Sequence, residues 1–342
     1  MVVTHGGNLF AVCRERGLDW RKVLDFSASI NPLGPPPGVF AAARDALDRM
    51  AHYPERESSR LAERLAVAWG VQPDQVMTGN GATELLHFLA RVAPRVWPEQ
   101  PVTLAVPVFS EFHRAYPRAS LAPVDLPPSW PARGWLILTQ PVNPTGELVP
   151  EPVLRDLVFG SGRPVLVDES FLDFTGHPSA ARWISQRPEL FVLRSLTKFY
   201  ALPGLRLAAL LAHEETLRPL RAWREPWQVS VVAEAAGLAA LEDTEYAARS
   251  RAFVREQRTW LSSQLAALPG TMPVKSEVNY LLVRLRYPAS TLSAALLERG
   301  ILVRNCAGWP GVIGEAVRVA VRTRPENERL VSAWRDTLCE QF

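Results

Sequence analysis

The sequence contains little that would support a disulfide-rich, metal-binding or membrane-spanning protein. Its 342 residues include three cysteines, Cys13, Cys306 and Cys339, which are widely separated and form no CxxC pair. Its six histidines show no HExxH or similar ligand spacing. No apolar run approaches the roughly 20 residues that a membrane-spanning helix needs. We therefore expect neither a disulfide framework, nor a metal site, nor a membrane segment.

The sequence also lacks a large excess of positive or negative charge. The formal net charge is +3, and arginines are interleaved with acidic residues in helical stretches such as 249–258. No basic arm or basic patch with interleaved aromatic residues is present, which argues against a nucleic-acid partner. Gly6 and Gly7 interrupt any apolar segment of a signal peptide. These features predict a cytoplasmic protein.

Short apolar runs alternate with helical patterns through the middle of the chain. The runs are 102–106, 135–138, 164–167, 191–193 and 207–211. This alternation predicts an α/β fold with a mostly parallel sheet. A further strand–helix–strand–helix pattern begins near residue 279 and predicts a smaller second domain. We expect a large domain of residues 38–245, and a small domain of residues 1–37 and 246–342 that includes an amino-terminal arm.

Candidate site residues follow four of these runs in turn. Phe109 follows the first run, Asn143 the second and Lys198 the fourth, and Asp168 ends the third. Ligand sites in open α/β sheets lie beyond the carboxyl ends of the strands. The four side chains are therefore expected at one edge of the sheet.

The stretch 195–206 (SLTKFYALPGLR) suggests a cofactor. Desolvation and a nearby cation lower the pKa of a lysine such as Lys198, which makes its amine nucleophilic toward an aldehyde. Ser195, Thr197 and Arg206 can together hold a phosphate dianion. An aldehyde-reactive lysine beside a phosphate site suggests pyridoxal 5'-phosphate (PLP). From this stretch alone, an ordinary lysine in a surface loop is an equally good interpretation.

Other motifs are individually weak. The stretch 79–84 (GNGATE) opens a helix whose backbone N–H groups could bind an anion, but it lacks the third glycine of a dinucleotide site and the lysine of a P-loop. Asp168 could pair with a protonated pyridine nitrogen or simply cap a turn. Asn143 could donate to a ring hydroxyl or form a plain turn. Phe109 could stack on a ring or belong to the core.

Taken in order, the motifs GNGATE, PVFSEF, NPTG, VDESF and SLTKFYALPGLR resemble those of the fold-type I PLP-dependent enzymes of the aminotransferase class I/II family. The resemblance covers most of the chain. It implies a large domain with a mostly parallel sheet between helices, a small α/β domain and PLP as cofactor. It also implies that Lys198 and Asp168 are catalytic, with Lys198 attached covalently to the cofactor and Asp168 paired with its ring nitrogen.

The same resemblance implies the remaining cofactor ligands. Asn143 is expected at the ring hydroxyl and Phe109 on the ring face. A tyrosine that crosses the interface of a homodimer to the cofactor phosphate matches Tyr53. The other phosphate ligands implied are Gly81, Ala82, Thr83, Ser195, Thr197 and Arg206.

A narrower resemblance involves the two ends of the chain. HGGN at 5–8, LDFSASINPLG at 24–34, VRNC at 303–306 and VRVAVRTRPEN at 317–327 resemble L-threonine-O-3-phosphate decarboxylases. These enzymes of cobalamin biosynthesis are similar to histidinol-phosphate aminotransferases. The resemblance implies decarboxylation of L-threonine O-3-phosphate, a small phosphorylated amino acid, to (R)-1-amino-2-propanol O-2-phosphate.

Substrate ligands follow from this resemblance. Arg318 is expected to bind the carboxylate, since bidentate geometry suits arginine, and Asn143 is expected to contact the substrate as well. The candidates for the substrate phosphate are His5, Gly6, Asn31 and Arg304. The alternative for both arginines is a position on the solvent face of a strand.

Two other functions remain open. A histidinol-phosphate or related aminotransferase would use the same residues, because the choice of reaction depends on which bond of the substrate stands perpendicular to the cofactor ring. A non-catalytic PLP-binding regulator or scaffold would need a fused DNA-binding segment or a lost lysine, whereas Lys198 is present.

Overall fold

The computed structural model describes residues 6–123, 133–160 and 162–341. The strands in these ranges are β1 (Leu24–Asp25), β2 (Val76–Gly79), β3 (Val102–Val106), β4 (Ser120–Pro123), β5 (Trp135–Thr139), β6 (Val165–Asp168), β7 (Leu190–Ser195), β8 (Ala208–Leu211), β9 (Thr271–Pro273), β10 (Tyr280–Leu285), β11 (Ile301–Leu302), β12 (Arg304–Asn305) and β13 (Glu315–Ala320). The α-helices are α1 (Leu9–Arg16), α2 (Gly38–Ala46), α3 (Ser59–Trp69), α4 (Ala82–Val96), α5 (Ser110–Ala115), α6 (Glu151–Phe159), α7 (Leu196–Phe199), α8 (Glu214–Arg221), α9 (Val231–Glu242), α10 (Tyr246–Ala266), α11 (Ala289–Glu298) and α12 (Arg324–Gln341).

A seven-stranded sheet organises the larger part of the chain. Its strand order is β2-β8-β7-β6-β5-β3-β4. Every neighbouring pair from β7 to β4 is parallel. The prediction of an α/β fold with a mostly parallel sheet is therefore confirmed.

The run 207–211 forms a strand that departs from the parallel arrangement of most of the sheet. β8 runs antiparallel to both β7 and β2. The only helix in the connection between β7 and β8 is the four-residue α7. The two ends of this connection are adjacent, because the Leu196 N–H donates to Leu207 O at 3.1 Å. A parallel strand would need a crossover long enough to return the chain to the starting edge of the sheet.

Both faces of the large sheet are covered by helices. Alternate residues of each strand point to opposite faces, so Leu138, Val167 and Val192 pack in the core that includes α3 and α6. Ile137 and Leu166 pack in the other core, which includes α4. This double covering explains why the strands are apolar throughout rather than alternating in polarity.

A smaller antiparallel sheet has the order β12-β13-β10-β9, and β1 pairs in parallel with β11 beside it. Phe26, from the amino-terminal segment, is buried in the same core as Val319 and Trp334. The beginning and the end of the chain thus share one core. The boundaries predicted above, residues 38–245 against 1–37 and 246–342, remain a prediction. Among the described residues, no helix is long and apolar enough to cross a membrane.

Candidate active site

A cavity of about 310 Å³ lies where the carboxyl ends of the central strands meet the small sheet and the amino-terminal segment. Eleven of the residues predicted from the sequence line it: Gly6, Ala82, Thr83, Phe109, Asn143, Asp168, Thr197, Lys198, Arg206, Arg304 and Arg318. Four further predicted residues within the described ranges do not line it: Asn31, Tyr53, Gly81 and the buried Ser195. The structure thus brings together side chains that are separated by more than 300 residues in sequence.

Lys198 lies in α7, the short helix in the connection between β7 and β8, and its side chain lines the cavity. Its Nζ donates to Thr197 Oγ1 at 2.9 Å, and this hydroxyl lies 2.7 Å from Ser195 Oγ. Burial lowers the pKa of Lys198 to about 8, with a further contribution from the charge of Arg206 and an opposing one from Asp168. The amine is therefore much more nucleophilic near neutral pH than an exposed lysine is.

Asp168 ends β6 at the bottom of the cavity. Its Oδ1 accepts hydrogen bonds from the backbone N–H of Ser170 at 2.9 Å and from Ser170 Oγ at 2.5 Å. Burial raises the pKa of Asp168, while these hydrogen bonds and the charge of Lys198 lower it. No ion pair to Asp168 is formed within the described residues. A buried carboxylate of this kind suits a cationic ligand.

The amino terminus of α4 forms an anion site at one side of the cavity. Gly81 precedes the helix with φ +86°, and a Cβ atom there would collide with the guanidinium of Arg206. Arg206 also has a left-handed backbone, with φ 54°. The helix amino terminus, this guanidinium and the hydroxyl of Thr197 therefore converge on one region, where a phosphate can be held.

Asn143 and Arg318 connect the two sheets across the cavity. Arg318 Nη1 donates to Asn143 Oδ1 at 2.8 Å, and Arg318 Nη2 donates to the carbonyl oxygen of Ser27 at 3.2 Å. The guanidinium lies 5.0 Å from the ring centroid of Tyr280. Its Nε is buried and has no hydrogen-bond partner among the residues that the structure describes. Arg318 is thus held in one orientation by neutral groups.

Arg304 lies directly opposite Arg318 on the neighbouring strand, in the β12–β13 pairing. Their exposed fractions are 5% and 8%, and neither makes an ion pair within the described residues. Like charges facing each other across a pair of strands are unfavourable. Arg304 and Arg318 are therefore two buried cations, neither of which is paired with a carboxylate of the described residues. Together they form a site for anionic groups of a ligand.

The amino-terminal segment closes the side of the cavity next to Arg318. A Cβ atom at Gly6 would collide with the Ser27 carbonyl oxygen and lie 3.5 Å from Arg318 Nη2. The N–H of Gly7 donates to Ser27 Oγ at 2.9 Å, which fixes this approach. His5, predicted as a phosphate ligand, lies outside the described residues.

Asn31 is directed away from the cavity. Its side-chain amide donates to the Phe199 carbonyl oxygen at 2.9 Å, to Tyr246 at 3.0 Å and to Ser250 at 2.9 Å. Its own N–H donates to the Lys198 carbonyl oxygen at 3.0 Å. This geometry leaves no free donor for a substrate phosphate, so the substrate-ligand role predicted for Asn31 does not fit the structure. Asn31 instead anchors the loop that carries Lys198.

Tyr53 is also remote from this cavity in the single chain. It is 80% exposed and stacks on Trp227 with ring centroids 4.6 Å apart. A position on the outer surface is compatible with a role toward a second subunit, and that role stays a prediction.

Sequence reasoning did not single out Ser29 and Trp309, which both line the cavity. Ser29 Oγ is buried and has no hydrogen-bond partner in the described part of the chain. Trp309 lies under Arg304, with the guanidinium 5.2 Å from its ring centroid. Ser29 lies in the stretch 24–34, of which only Asn31 is predicted to bind a ligand. Nothing in the local sequence distinguishes Trp309 from an aromatic residue of the core.

The side chains fit PLP group by group. The amino terminus of α4 with Arg206 and Thr197 suits the phosphate, Asp168 suits a protonated ring nitrogen, and the amine of Lys198 suits the aldehyde. Two residues that line the cavity also carry a buried polar atom without a hydrogen-bond partner among the described residues, namely Ser29 Oγ and Arg318 Nε.

The model of the protein family "Aminotransferase class I and II" matches residues 21–333 of the chain. The chain belongs to this family. It is a PLP-dependent enzyme of the fold-type I architecture, as the motifs predicted.

Two curated relatives are similar over nearly their whole length. The chain is 34% identical to threonine-phosphate decarboxylase of Salmonella typhimurium, over 98% of this chain and 96% of that protein. It is 36% identical to histidinol-phosphate aminotransferase of Symbiobacterium thermophilum, over 96% and 94% respectively.

Solved structures show the same fold. The crystal structure of L-threonine-O-3-phosphate decarboxylase from Porphyromonas gingivalis matches with a TM-score of 0.83 and 22% identity, over 92% of this chain and 99% of that one. Histidinol-phosphate aminotransferase from Sinorhizobium meliloti in complex with PLP matches with a TM-score of 0.81 and 21% identity, over 97% and 95%.

Proposed function

We propose that the enzyme decarboxylates L-threonine O-3-phosphate to (R)-1-amino-2-propanol O-2-phosphate and CO2, as a step of cobalamin biosynthesis. The observation that carries this proposal is the pair of buried arginines, Arg304 and Arg318, that face each other in the cavity of Lys198. A substrate with both a carboxylate and a phosphate supplies one anion for each. The 34% identical threonine-phosphate decarboxylase supports the same choice.

The cofactor, when bound, supplies an electron sink for the bond that breaks at the substrate Cα. The chain's own residues do the rest. Lys198 and Asp168 would bind the cofactor at its aldehyde and its ring nitrogen, and Arg206, the amino terminus of α4 and the hydroxyl of Thr197, which Ser195 Oγ contacts, would hold its phosphate. Asn143 would contact the cofactor through its amide nitrogen, while its amide oxygen accepts a hydrogen bond from Arg318.

Arg304 and Arg318 orient the substrate. In decarboxylation the carbon–carbon bond to the carboxylate breaks, CO2 leaves, and the electron pair at Cα is taken up by a proton that Lys198 Nζ can deliver. In transamination the Cα proton leaves instead. The two reactions differ by about one bond rotation of the substrate, so the anchoring of its two anionic groups decides between them.

The second candidate is a histidinol-phosphate or related aminotransferase, favoured by the 36% identical relative. It uses the same pair of arginines, since one of its substrates carries a phosphate and its acidic co-substrate carries carboxylates. It requires a keto acid such as 2-oxoglutarate, which the decarboxylase does not.

We also propose a cytoplasmic homodimer. The free cysteines suit a reducing compartment. Tyr53 stacks on the exposed Trp227, and the exposed Phe40, Leu47 and Met50 precede it in sequence; a second subunit would cover apolar side chains of this kind.

The deciding experiment follows CO2 release from O-phospho-L-threonine by the purified holoenzyme, first without and then with 2-oxoglutarate. We expect release that needs no keto acid and that is lost in Lys198→Ala. Glutamate formed from histidinol phosphate and 2-oxoglutarate, without CO2 release, would instead establish the aminotransferase.

A further inference from the structure

The loop between β12 and β13, residues 306–314, joins the small sheet to the end of β3. Trp309 Nε1 donates to the carbonyl oxygen of Val108 at 2.8 Å. Gly311 has φ +84°, and a Cβ atom there would lie 2.7 Å from the backbone nitrogen of Pro107. The loop therefore approaches the backbone just before Phe109 more closely than a side chain would allow.

Trp309 is fixed on both sides. Its indole N–H donates to the Val108 carbonyl oxygen, and its ring packs in a buried cluster with Leu282, Cys306 and Ala316. Only 5% of its surface is exposed. A ring held in this way offers a rigid surface at the wall of the cavity.

The guanidinium of Arg304 lies on this ring, at a distance of 5.2 Å from the centroid. Its side chain makes no hydrogen bond or ion pair with the described residues. A cation within about 6 Å of an indole face is attracted by the ring, and more strongly where water is excluded. The stacked ring is thus the contact that orients the guanidinium, against the repulsion of Arg318 opposite.

We propose that Trp309 is a positioning residue that sets the preference of this enzyme for phosphorylated substrates, by holding the guanidinium of Arg304 ready for the phosphate. The inference rests on the phosphate-binding role of Arg304 in the proposed function, but not on which of the two reactions follows. Without the ring, Arg304 would sample several orientations and would have to be ordered again by each ligand, at a cost in affinity.

The test compares ligands with and without a phosphate on the holoenzyme. Absorbance of the bound cofactor is titrated with (R)-1-amino-2-propanol O-2-phosphate and with (R)-1-amino-2-propanol, amines without a carboxylate to lose, and the ratio of the two dissociation constants measures the phosphate preference. In Trp309→Leu we expect this ratio to fall about tenfold, with affinity for (R)-1-amino-2-propanol nearly unchanged. Trp309→Phe, which keeps a ring face, retains most of the preference.

Trp183→Leu is the matched control. Trp183 is equally buried and carries Arg182 at 4.5 Å from its ring centroid, but it lies outside the cavity. It should lower the melting temperature without changing the ratio. If Trp309→Leu yields no folded holoenzyme, Trp309→Met fills the volume without a ring and should show the same loss.

The outcomes separate the two proposals. A wild-type phosphate preference that survives Trp309→Leu or Trp309→Met overturns the role of Trp309 and leaves the proposed function intact. A wild type that binds both ligands equally overturns phosphate recognition, and the role of Trp309 with it. If the enzyme is an aminotransferase, the same titration with histidinol phosphate and histidinol should show the same dependence on Trp309.

Discussion

Among single residues, Lys198 has the acid–base property most closely linked to function. Its pKa is lowered to about 8, mainly by burial and then by the charge of Arg206. Because the protonated form is the one that burial disfavours, the neutral amine predominates above this pH. The two other lysines, Lys22 and Lys275, are exposed.

This difference predicts the pH dependence of cofactor capture by the apoprotein. The rate at which added PLP is bound covalently should rise about tenfold per pH unit below pH 8 and level off above it, because only the neutral amine attacks the aldehyde. The measurement is the growth of absorbance of the bound cofactor between pH 7 and 10. Lys198→Ala is the control without specific capture. A rate still rising at pH 10 would show that the lysine is not desolvated.

Individual residues also show how far sequence patterns extend. Asp168, Asn143 and Lys198 could be expected to meet because the carboxyl ends of parallel strands share one edge. The orientation of Asn31 could not, since its partners Tyr246 and Ser250 lie more than 200 residues away. Short motifs specify which residues are present and carry no information on which acceptors a distant helix provides.

At the level of secondary-structure elements, the amino terminus of α4 is the part of the site that depends most on backbone shape. The backbone of Gly81 has a positive φ of +86°, and the absence of a Cβ atom leaves the space that the Arg206 guanidinium occupies. Both requirements are met by glycine alone.

We predict that Gly81→Ala raises the dissociation constant for PLP about tenfold or more, because an alanine at φ 86° and ψ 158° is strained by roughly 1–3 kcal/mol and Arg206 must move. Equilibrium binding of PLP to the apoprotein measures the effect. Gly38→Ala, at the first residue of α2 with open space around it and no left-handed backbone, is the matched control and should bind PLP normally. Equal affinities for the two variants would contradict the assigned role of this helix end.

The direction of β8 shows a limit of element prediction. Apolar runs identified the large-sheet strands β3, β5, β6, β7 and β8 to within a few residues, because buried strands are apolar and bounded by polar turns. Hydrophobicity is the same for a parallel and an antiparallel strand in a core, so direction had to come from the length and shape of the connection.

For the whole molecule, the notable feature is that Tyr53 lies on the outer surface of the single chain, outside the cavity. Its ring stacks on Trp227 and both side chains are exposed, as is Met50, which is 75% exposed. Exposed apolar and aromatic side chains that contact one another suit an interface.

In the proposed dimer, the hydroxyl of Tyr53 reaches the cofactor phosphate of the partner subunit. Tyr53→Phe should therefore leave the dimer intact and release PLP several-fold faster on dilution, since one hydrogen bond to a charged group is lost. Light scattering coupled to gel filtration reports the assembly, and cofactor absorbance reports retention. Tyr116→Phe, elsewhere in the large domain, is the control. Unchanged retention in Tyr53→Phe would argue against the shared site.

One connection, residues 196–207, carries Thr197, Lys198 and Arg206 together, whereas Gly6, Arg304 and Arg318 come from the amino-terminal segment and the small sheet. The predicted cofactor ligands therefore lie on the large sheet and its connections, whereas most of the predicted substrate ligands lie on other parts of the chain. A small shift in how the second sheet packs would turn the substrate relative to a cofactor held by the large sheet. During divergence of a duplicated gene, a change of reaction could thus arise from packing substitutions far from the chemistry, which would explain how enzymes with the same lysine loop come to break different bonds.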